Sequence, residues 1–469
     1  MEIENPVSAA QPSLMPPTAE WGAGARATVR PQAAARLAAE AAADVPSEAS
    51  MEVPSEAPLP RAALCALLAG TARLDPARLA FADATPKRAW SGRPPLAWTY
   101  GTAAEIVGRM ARALRTWRLA PGSRIGLWFP GSTEGLVAHL AVEAAGHVPC
   151  PLPAFWSEAQ AAAGIEAAGL SAVLTQTRVG ANHPAEALCR IAAGYFGLRY
   201  LAAFGPAVPD GVINLDALAL DRAGGSAPLP ETGGGLVSFA VGDPSRPVHR
   251  TGAALLAAIA AHLVSARIDP GDRILTLLPP SDLRGLVTGL GAALAAGAGL
   301  EAMPVFDGPA LSESLAQPRP THLVAPAFLE KALDALPPAT RSVILARRTP
   351  GAVPQHDTDR AAGSPVVDVL AFDEDAVLSV RRAGPGLSGS GLAGSSLAGI
   401  LAEPARLALP PALFGLRREP DGRLAFRGQA CATTQVQRGE ALAPEAGSFR
   451  VSRFRADSFA GTGMAVTEA

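Results

Sequence analysis

Residues 98–176 read WTYGTAAEIVGRMARALRTWRLAPGSRIGLWFPGSTEGLVAHLAVEAAGHVPCPLPAFWSEAQAAAGIEAAGLSAVLTQ. Thr102 to Trp117 carries apolar residues at helical spacing, and Arg124 to Phe129 is a short apolar strand. Gly135 to Ala145 is helical again, and strands at Ala172 to Thr175 and Leu198 to Ala203 follow. This alternation predicts parallel strands with helices on both faces, because a parallel strand can be reached only by a crossover. A second run of the pattern starts at Leu236, with a helix at Ala253 to Ala266 and strands at Arg273 to Leu278, Thr321 to Val324 and Arg341 to Ala346. After about Leu370, Gly/Ser/Pro-rich turns and short alternating strands such as Arg423 to Arg427 predict a smaller β-rich part. The expected organisation is a first α/β subdomain over 59–235, a second over 236–370 and a β-rich subdomain over 371–469.

Working outward, a chain of 469 residues is long enough for a large core divided among several subdomains. A net charge of −2 and the lack of any long basic stretch argue against a nucleic-acid partner. Lys87 and Lys331 are the only lysines, and Lys331 in FLEKALDAL reads as a helix residue reaching for solvent. Cys65, Cys150, Cys189 and Cys431 fit no metal or disulfide spacing and read as buried thiols. The almost uncharged run Gly285 to Val305 raises the question of a membrane span, but its glycines favour a helix and strand packed inside an α/β domain, so no membrane is expected. The start, MEIENPVSAAQPS, has acidic residues and no apolar core, which is unlike a signal peptide and leads to a cytoplasmic expectation. Residues 1–58, rich in Ala, Pro, Glu and Ser, have little to bury and are expected to be disordered, apart from a short helix over the alanines Ala33 to Ala43. VPSEA occurs there twice, from Val45 and from Val53, as duplication within a low-complexity tail.

The TY start, the amphipathic helix, PGSRIGLWFPGS at 121–132 and the helix leading into AAGHVPCPL resemble the opening of the AMP-dependent synthetase/ligase superfamily, the adenylate-forming acyl-CoA synthetases. RIDPGDRILTLLPPSDLRGLVTGLGAALAAGAGLEAM and PTHLVAPAFLEKAL resemble its second half, so the likeness runs from about Pro94 to the C-terminus. The resemblance implies two helix-covered, mostly parallel sheets in a layered αβαβα arrangement plus a small β-rich subdomain, and it implies ATP and Mg²⁺ as cofactors of an active member. It also locates the places where that chemistry should sit.

The family's Ser/Thr/Gly-rich phosphate loop closed by Pro-Lys-Gly falls on LVSFAVGDPSRPVHR, residues 236–250. Gly242 and Pro247 match, whereas Asp243, Pro244, Ser245, Val248 and His249 occupy the other places. An acidic residue repels phosphate and a proline lacks an N–H donor, although His249 and Arg250 could supply positive charge. The Tyr-Gly-x-Thr-Glu element falls on Leu370 to Glu374, with Glu374 alone matching and Asp373 where the α-phosphate donor would be. Glu374, with Asp373 and Asp375, is the candidate cation ligand, against the plainer reading of a solvated acidic turn. The ribose-binding Thr-Gly-Asp appears as Thr462, Gly463 and Met464, and methionine cannot accept two ribose hydrogen bonds. The adenine loop reads ARRTPG with Arg347 and Arg348, and the acyl-pocket aromatic-His pair falls on Ser281 and Asp282.

GSGLAG at 389–394 matches GxGxxG by chance within a Gly/Ser-rich stretch, since no acidic residue follows at the right distance. The resulting expectation is a catalytically degenerate ligase-like protein acting as a binding, scaffold or accessory subunit. The family's mobile C-terminal domain has no counterpart before Ala469, so a protein partner or a second copy is expected on the face that domain would cover. The alternative is an acid-activating ligase using His249, Arg250 and Glu374, with the C-terminal domain supplied in trans. A third reading keeps only the pocket for a carboxylic acid or acyl ligand.

Overall fold

The computed structural model describes residues 63–222, 234–240, 243–333, 336–354, 364–382, 396–436, 448–459 and 463–468. The N-terminal tail, GSGLAG, Gly242 and Thr462 lie outside the described residues. The chain passes through α1 (Leu64–Leu74), β1 (Leu79–Asp83), α2 (Lys87–Ser91) and β2 (Ala97–Thr99) into α3 (Tyr100–Arg115), which starts where the Thr99 hydroxyl accepts the Thr102 N–H at 3.2 Å. Next come β3 (Arg124–Trp128), α4 (Thr133–Ala144), β4 (Val148–Pro151), α5 (Glu158–Ala168), β5 (Ala172–Gln176), α6 (Pro184–Gly194), β6 (Tyr200–Phe204), β7 (Ile213–Asn214) and α7 (Leu215–Leu220). Their strands form a parallel sheet of order β4-β3-β5-β6-β7. Every residue of α4 is buried, as a helix without a polar stripe must be, because it is enclosed between layers.

β8 (Leu236–Phe239) and β9 (Pro247–Arg250) form a hairpin, and α8 (Gly252–Ala266) follows. β10 (Arg273–Thr276), β11 (Gly299–Ala302), β12 (Thr321–Pro326), β13 (Thr340–Arg348), β14 (Gly351–Pro354), β15 (Val366–Phe372) and β16 (Ala376–Arg381) come next. All of these except β14 join one eight-stranded sheet, β16-β15-β13-β12-β10-β11-β1-β2, parallel inside with an antiparallel pair at each edge. β17 (Gly415–Arg418), β18 (Arg423–Arg427), β20 (Arg450–Phe459) and β21 (Gly463–Glu468) make an antiparallel sheet with β14, while β19 (Thr433–Gln435) extends the β8–β9 hairpin. The fold is the layered α/β arrangement with a small β-rich part. Sheet membership crosses the expected segments, for β1 and β2 lie in the sheet built mainly from residues 273–381.

The glycine-rich run is a helical stretch, Leu283–Gly285, π-helical Leu286–Gly291 and Ala292–Ala296, followed by β11. A side chain at Gly291 would meet Ile259 Cδ1 of α8 at 2.4 Å, so glycine there sets the close approach of two helices. Among the described residues no helix is long and apolar enough to cross a membrane.

A buried ionic network ties the layers together. Lys87 Nζ lies 2.6 Å from both Asp83 and Glu134, and Arg93 reaches Glu134 at 2.9 Å and Asp216 at 2.7 Å. Asp83 also accepts the Thr133 N–H at 2.9 Å and the Leu96 N–H at 3.0 Å. Glu143 of α4 caps α1 by accepting the N–H groups of Leu64 at 3.0 Å and Cys65 at 2.7 Å, and burial raises its pKa to about 7. All four cysteines are free; Cys65, Cys150 and Cys431 are buried and Cys189 is half-buried.

Candidate functional site

The segment aligned with the phosphate loop is the turn of the β8–β9 hairpin, paired from Leu236 with Arg250 to Phe239 with Pro247. The turn closes on itself: Asp243 N–H donates to Ala240 at 3.0 Å, Arg246 N–H to Asp243 at 3.2 Å, and Ala240 N–H to Arg246 at 3.2 Å. The Asp243 carboxylate accepts the Ser245 N–H at 3.0 Å and its hydroxyl at 2.5 Å, and these bonds, the hydroxyl first, hold Asp243 below the usual carboxylate range. A phosphate cradle points successive N–H groups outward, whereas these donors serve the turn itself.

The nearby cations are similarly engaged. Val248 is buried in β9, in register with Ser238 on one side and Gln435 on the other. His249 Nε2 lies 2.9 Å from the Gly234 carbonyl, and burial lowers the His249 pKa below its ordinary value. Arg250 is 1% exposed and donates to the carbonyls of Ala430 at 2.5 Å and Glu374 at 2.7 Å, so it clamps the hairpin to two other segments. Desolvation lowers its pKa.

The turn between β15 and β16 carries the three expected carboxylates. Asp373 sits at φ +51° and pairs with Arg453 of β20. Glu374 is 2% exposed; its Oε2 accepts the Ser238 hydroxyl at 2.7 Å, its Oε1 has no partner, and burial raises its pKa to about 7. Asp375 lies 3.5 Å from Arg450, and burial raises its pKa as well. The three side chains thus turn to three different partners, and among the described residues no group of three His, Cys, Asp or Glu could hold a metal ion.

Leu370 is buried in β15 and Met464 in β21, where Met464 is in register with Val353 and Ser458. Arg348 pairs with Asp282 at 3.1 Å while its buried Nη1 has no partner. Asp282 is also bound by Arg284 at 2.5 Å, and these two arginines help hold its carboxyl below the usual range despite burial. Arg347 and Arg382 share Glu330 and Asp368, at 3.0 and 3.5 Å for Arg347 and 2.5 and 2.7 Å for Arg382. The structure therefore brings Ser238, Arg250, Asp282, Arg348 and Glu374 into one buried polar region and places Met464 in the antiparallel sheet.

Sequence reasoning did not single out Ser238, Arg450 or Arg453, which lie far along the chain from the acidic turn. It also missed a Ser–His–Asp chain: His322 Nδ1 lies 2.8 Å from Ser342 Oγ and His322 Nε2 lies 3.0 Å from Asp272. That chain resembles a nucleophilic triad, but Ser342 is 0% exposed and sits at the start of β13, where no substrate reaches it. It is a satisfied buried polar cluster.

Residues 72–197 match the family model described as AMP-binding enzyme. Solved structures of similar fold include ATP-bound MatB from Rhodopseudomonas palustris, with TM-score 0.62 and 18% identity over 86% of this chain and 78% of that one. MbtA from Mycobacterium smegmatis matches with TM-score 0.62 and 18% identity over 86% of this chain and 75% of that one. The o-succinylbenzoate CoA synthetase MenE from Bacillus subtilis, in complex with the acyl-adenylate OSB-AMP, matches with TM-score 0.60 and 15% identity over 85% and 77%. None of the curated proteins matches the sequence. Residues 72–197 thus match the AMP-binding enzyme family model, and the described chain has the fold of these three structures.

Proposed function

We propose that this chain is a ligase-like protein that has kept the adenylate-forming fold without acid activation, and that it works as a cytoplasmic binding or accessory subunit beside a protein partner. The observation that carries this reading is the turn between β8 and β9, where the N–H groups of Asp243, Ser245 and Arg246 and the Asp243 carboxylate bond within the turn itself. Asp373 adds to it, since a carboxylate held by Arg453 stands where an α-phosphate donor is expected. ATP and Mg²⁺ do not fit these residues: phosphate would meet Asp243 and Asp373, and the carboxylates of Asp373, Glu374 and Asp375 are drawn to Arg453, Ser238 and Arg450 instead of to one cation.

A second reading has its own support. Glu374 Oε1 and Arg348 Nη1 are both buried and unpartnered, and such atoms call for a polar ligand or water. Under that reading the chain takes a carboxylic acid or acyl ligand, or acts as the acid-activating ligase of the alternative. Calorimetry with Mg-ATP, AMP and a panel of carboxylic acids and acyl-CoAs separates them. The first reading expects no nucleotide heat; nucleotide binding overturns it, and binding of an acid alone supports the pocket reading.

A further inference from the structure

The tail repeat and an arginine-rich sheet face are both left unused by the proposed function. β17, β18, β20 and the β17–β18 turn carry Arg417, Arg418, Arg423, Arg427, Arg450, Arg453 and Arg455, against Glu419, Asp421 and Asp457. Leu416, Leu424, Phe426 and Phe454 are buried on the inner face, where Phe426 and Phe454 pack on Phe372. Strand alternation therefore turns Arg417, Arg423, Arg427, Val451 and Arg455 to the other face.

On that outer face Arg417, Arg423 and Arg455 each pair with an acid two residues away, Glu419 at 2.6 Å, Asp421 at 2.6 Å and Asp457 at 3.0 Å. Arg423 and Arg455 are direct cross-strand partners, a like-charge pairing that destabilises a sheet unless anions offset it. Arg427 Nε is buried without a hydrogen-bond partner, and its guanidinium lies 4.6 Å from the Phe449 ring, with Arg417 at 4.4 Å from the same ring. Arg423 is paired with Asp421 at 2.6 Å, but both groups are nearly half exposed, so an incoming carboxylate can exchange for it at little cost. An open groove of about 450 Å³ runs beside them, lined by Asp421, Arg423, Ser452, Arg453 and Arg455. Val451, 42% exposed, adds an apolar contact point.

The complementary sequence is in the same chain. Between Arg36 and Arg61 there is no basic residue, and acids recur at every fourth position: Glu40, Asp44, Glu48, Glu52 and Glu56. Glu48 and Glu56 fall in the duplicated VPSEA, which couples a valine and a proline to each of them, and Glu52 lies between the two copies. We infer that the acidic repeat at 44–57 docks on the outer face of β17–β18–β20, its glutamates against Arg417, Arg423, Arg427 and Arg455 and its valines and prolines against Phe449 and Val451.

The test places the photo-cross-linker p-benzoylphenylalanine at Met51 in the full-length chain and maps adducts by mass spectrometry. Adducts confined to 415–427 and 449–457 are expected, whether within one chain or between two copies. Their yield should fall roughly fivefold or more in about 0.5 M salt, because exposed charges are screened there. The triple substitution Glu48→Gln, Glu52→Gln and Glu56→Gln should lower it as much, without touching any residue of the sheet. Arg423→Glu with Arg455→Glu should do the same, with circular dichroism verifying the fold. Adducts elsewhere, no adducts, or adducts indifferent to salt and to the glutamine substitutions would overturn the inference.

Discussion

Two buried clusters of charge in this molecule use the same groups to different ends. Around Lys87, the carboxylates Asp83, Glu134 and Asp216 meet Lys87 and Arg93 at hydrogen-bonding distance, and backbone N–H groups bind the remaining Asp83 lone pairs. Around Glu374, Ser238 and Arg348 leave two polar atoms without partners, and burial keeps the carboxyl protonated up to about pH 7. A completed network fixes one geometry, whereas an incomplete one is where something else can enter or a proton can come and go. The first cluster lies in residues 83–216, largely within the part that matches the family model, and the second lies outside it.

The largest effect should come from breaking the completed cluster. Lys87→Met removes the cation from two carboxylates that are each 2% exposed, which should cost about 3–5 kcal/mol because an unpaired buried charge remains. Urea unfolding followed by tryptophan fluorescence measures this. A loss under about 1 kcal/mol would mean that the network opens to water and that the contrast with Glu374 is false.

The incomplete cluster should respond to pH instead. The Glu374 pKa rises from 4.5 to about 7 on folding, so between those values the folded chain binds more protons than the unfolded one. The contribution of this residue to stability therefore falls as pH rises from about 4.5 to about 7 and is flat above. Glu374→Gln keeps an acceptor for Ser238 and cannot ionise, so it should gain stability over the parent through that window, reaching roughly 1–3 kcal/mol. His139 and His262, buried and neutral with pKa values lowered to about 4 and about 3, push the other way below pH 6.5, so only the difference between variant and parent isolates Glu374. A pH-independent difference would show that the carboxyl is solvated and ordinary.

How much of this was legible in the sequence follows from the range of each interaction. Periodicity is local, so the strand Arg423–Arg427 was placed to the residue and α8 to within one. Sheet membership is not local: nothing in LAFAD indicates that β1 lies beside β11, more than two hundred residues on. At the site, the replacement of small donors by Asp243 and Pro244 and of the lysine by Val248 could be read directly. What fills the place could not, because Ser238 and Glu374 are 136 positions apart and Arg453 and Asp373 are 80 apart. The sequence offers Arg250 as a phosphate-facing cation, and its burial as a carbonyl clamp follows only from the approach of Ala430 and of the β15–β16 turn, 180 and 124 positions away.

The smallest expected effect is also the sharpest test of the comparison. Val248→Lys together with Met464→Asp restores two side chains that the family pattern calls for, and acid-dependent exchange of pyrophosphate into ATP should remain at the level of a heat-killed control. Val248 is 6% exposed in a paired strand, so an ammonium there must distort β9 or pay for its own desolvation. Met464 is 4% exposed in β21, in register with Val353, so an aspartate there is buried in an antiparallel sheet. Meanwhile the Ala240–Pro247 turn still closes on Asp243, and Asp373 still presents a carboxylate to incoming phosphate. Electrostatic catalysis needs donors aimed in advance at the developing charge, which two side chains on this backbone do not supply. Clear exchange by the double variant would mean that the turn opens readily into a phosphate cradle, and the contrast between the completed and the incomplete cluster would then rest on two residues instead of on backbone geometry.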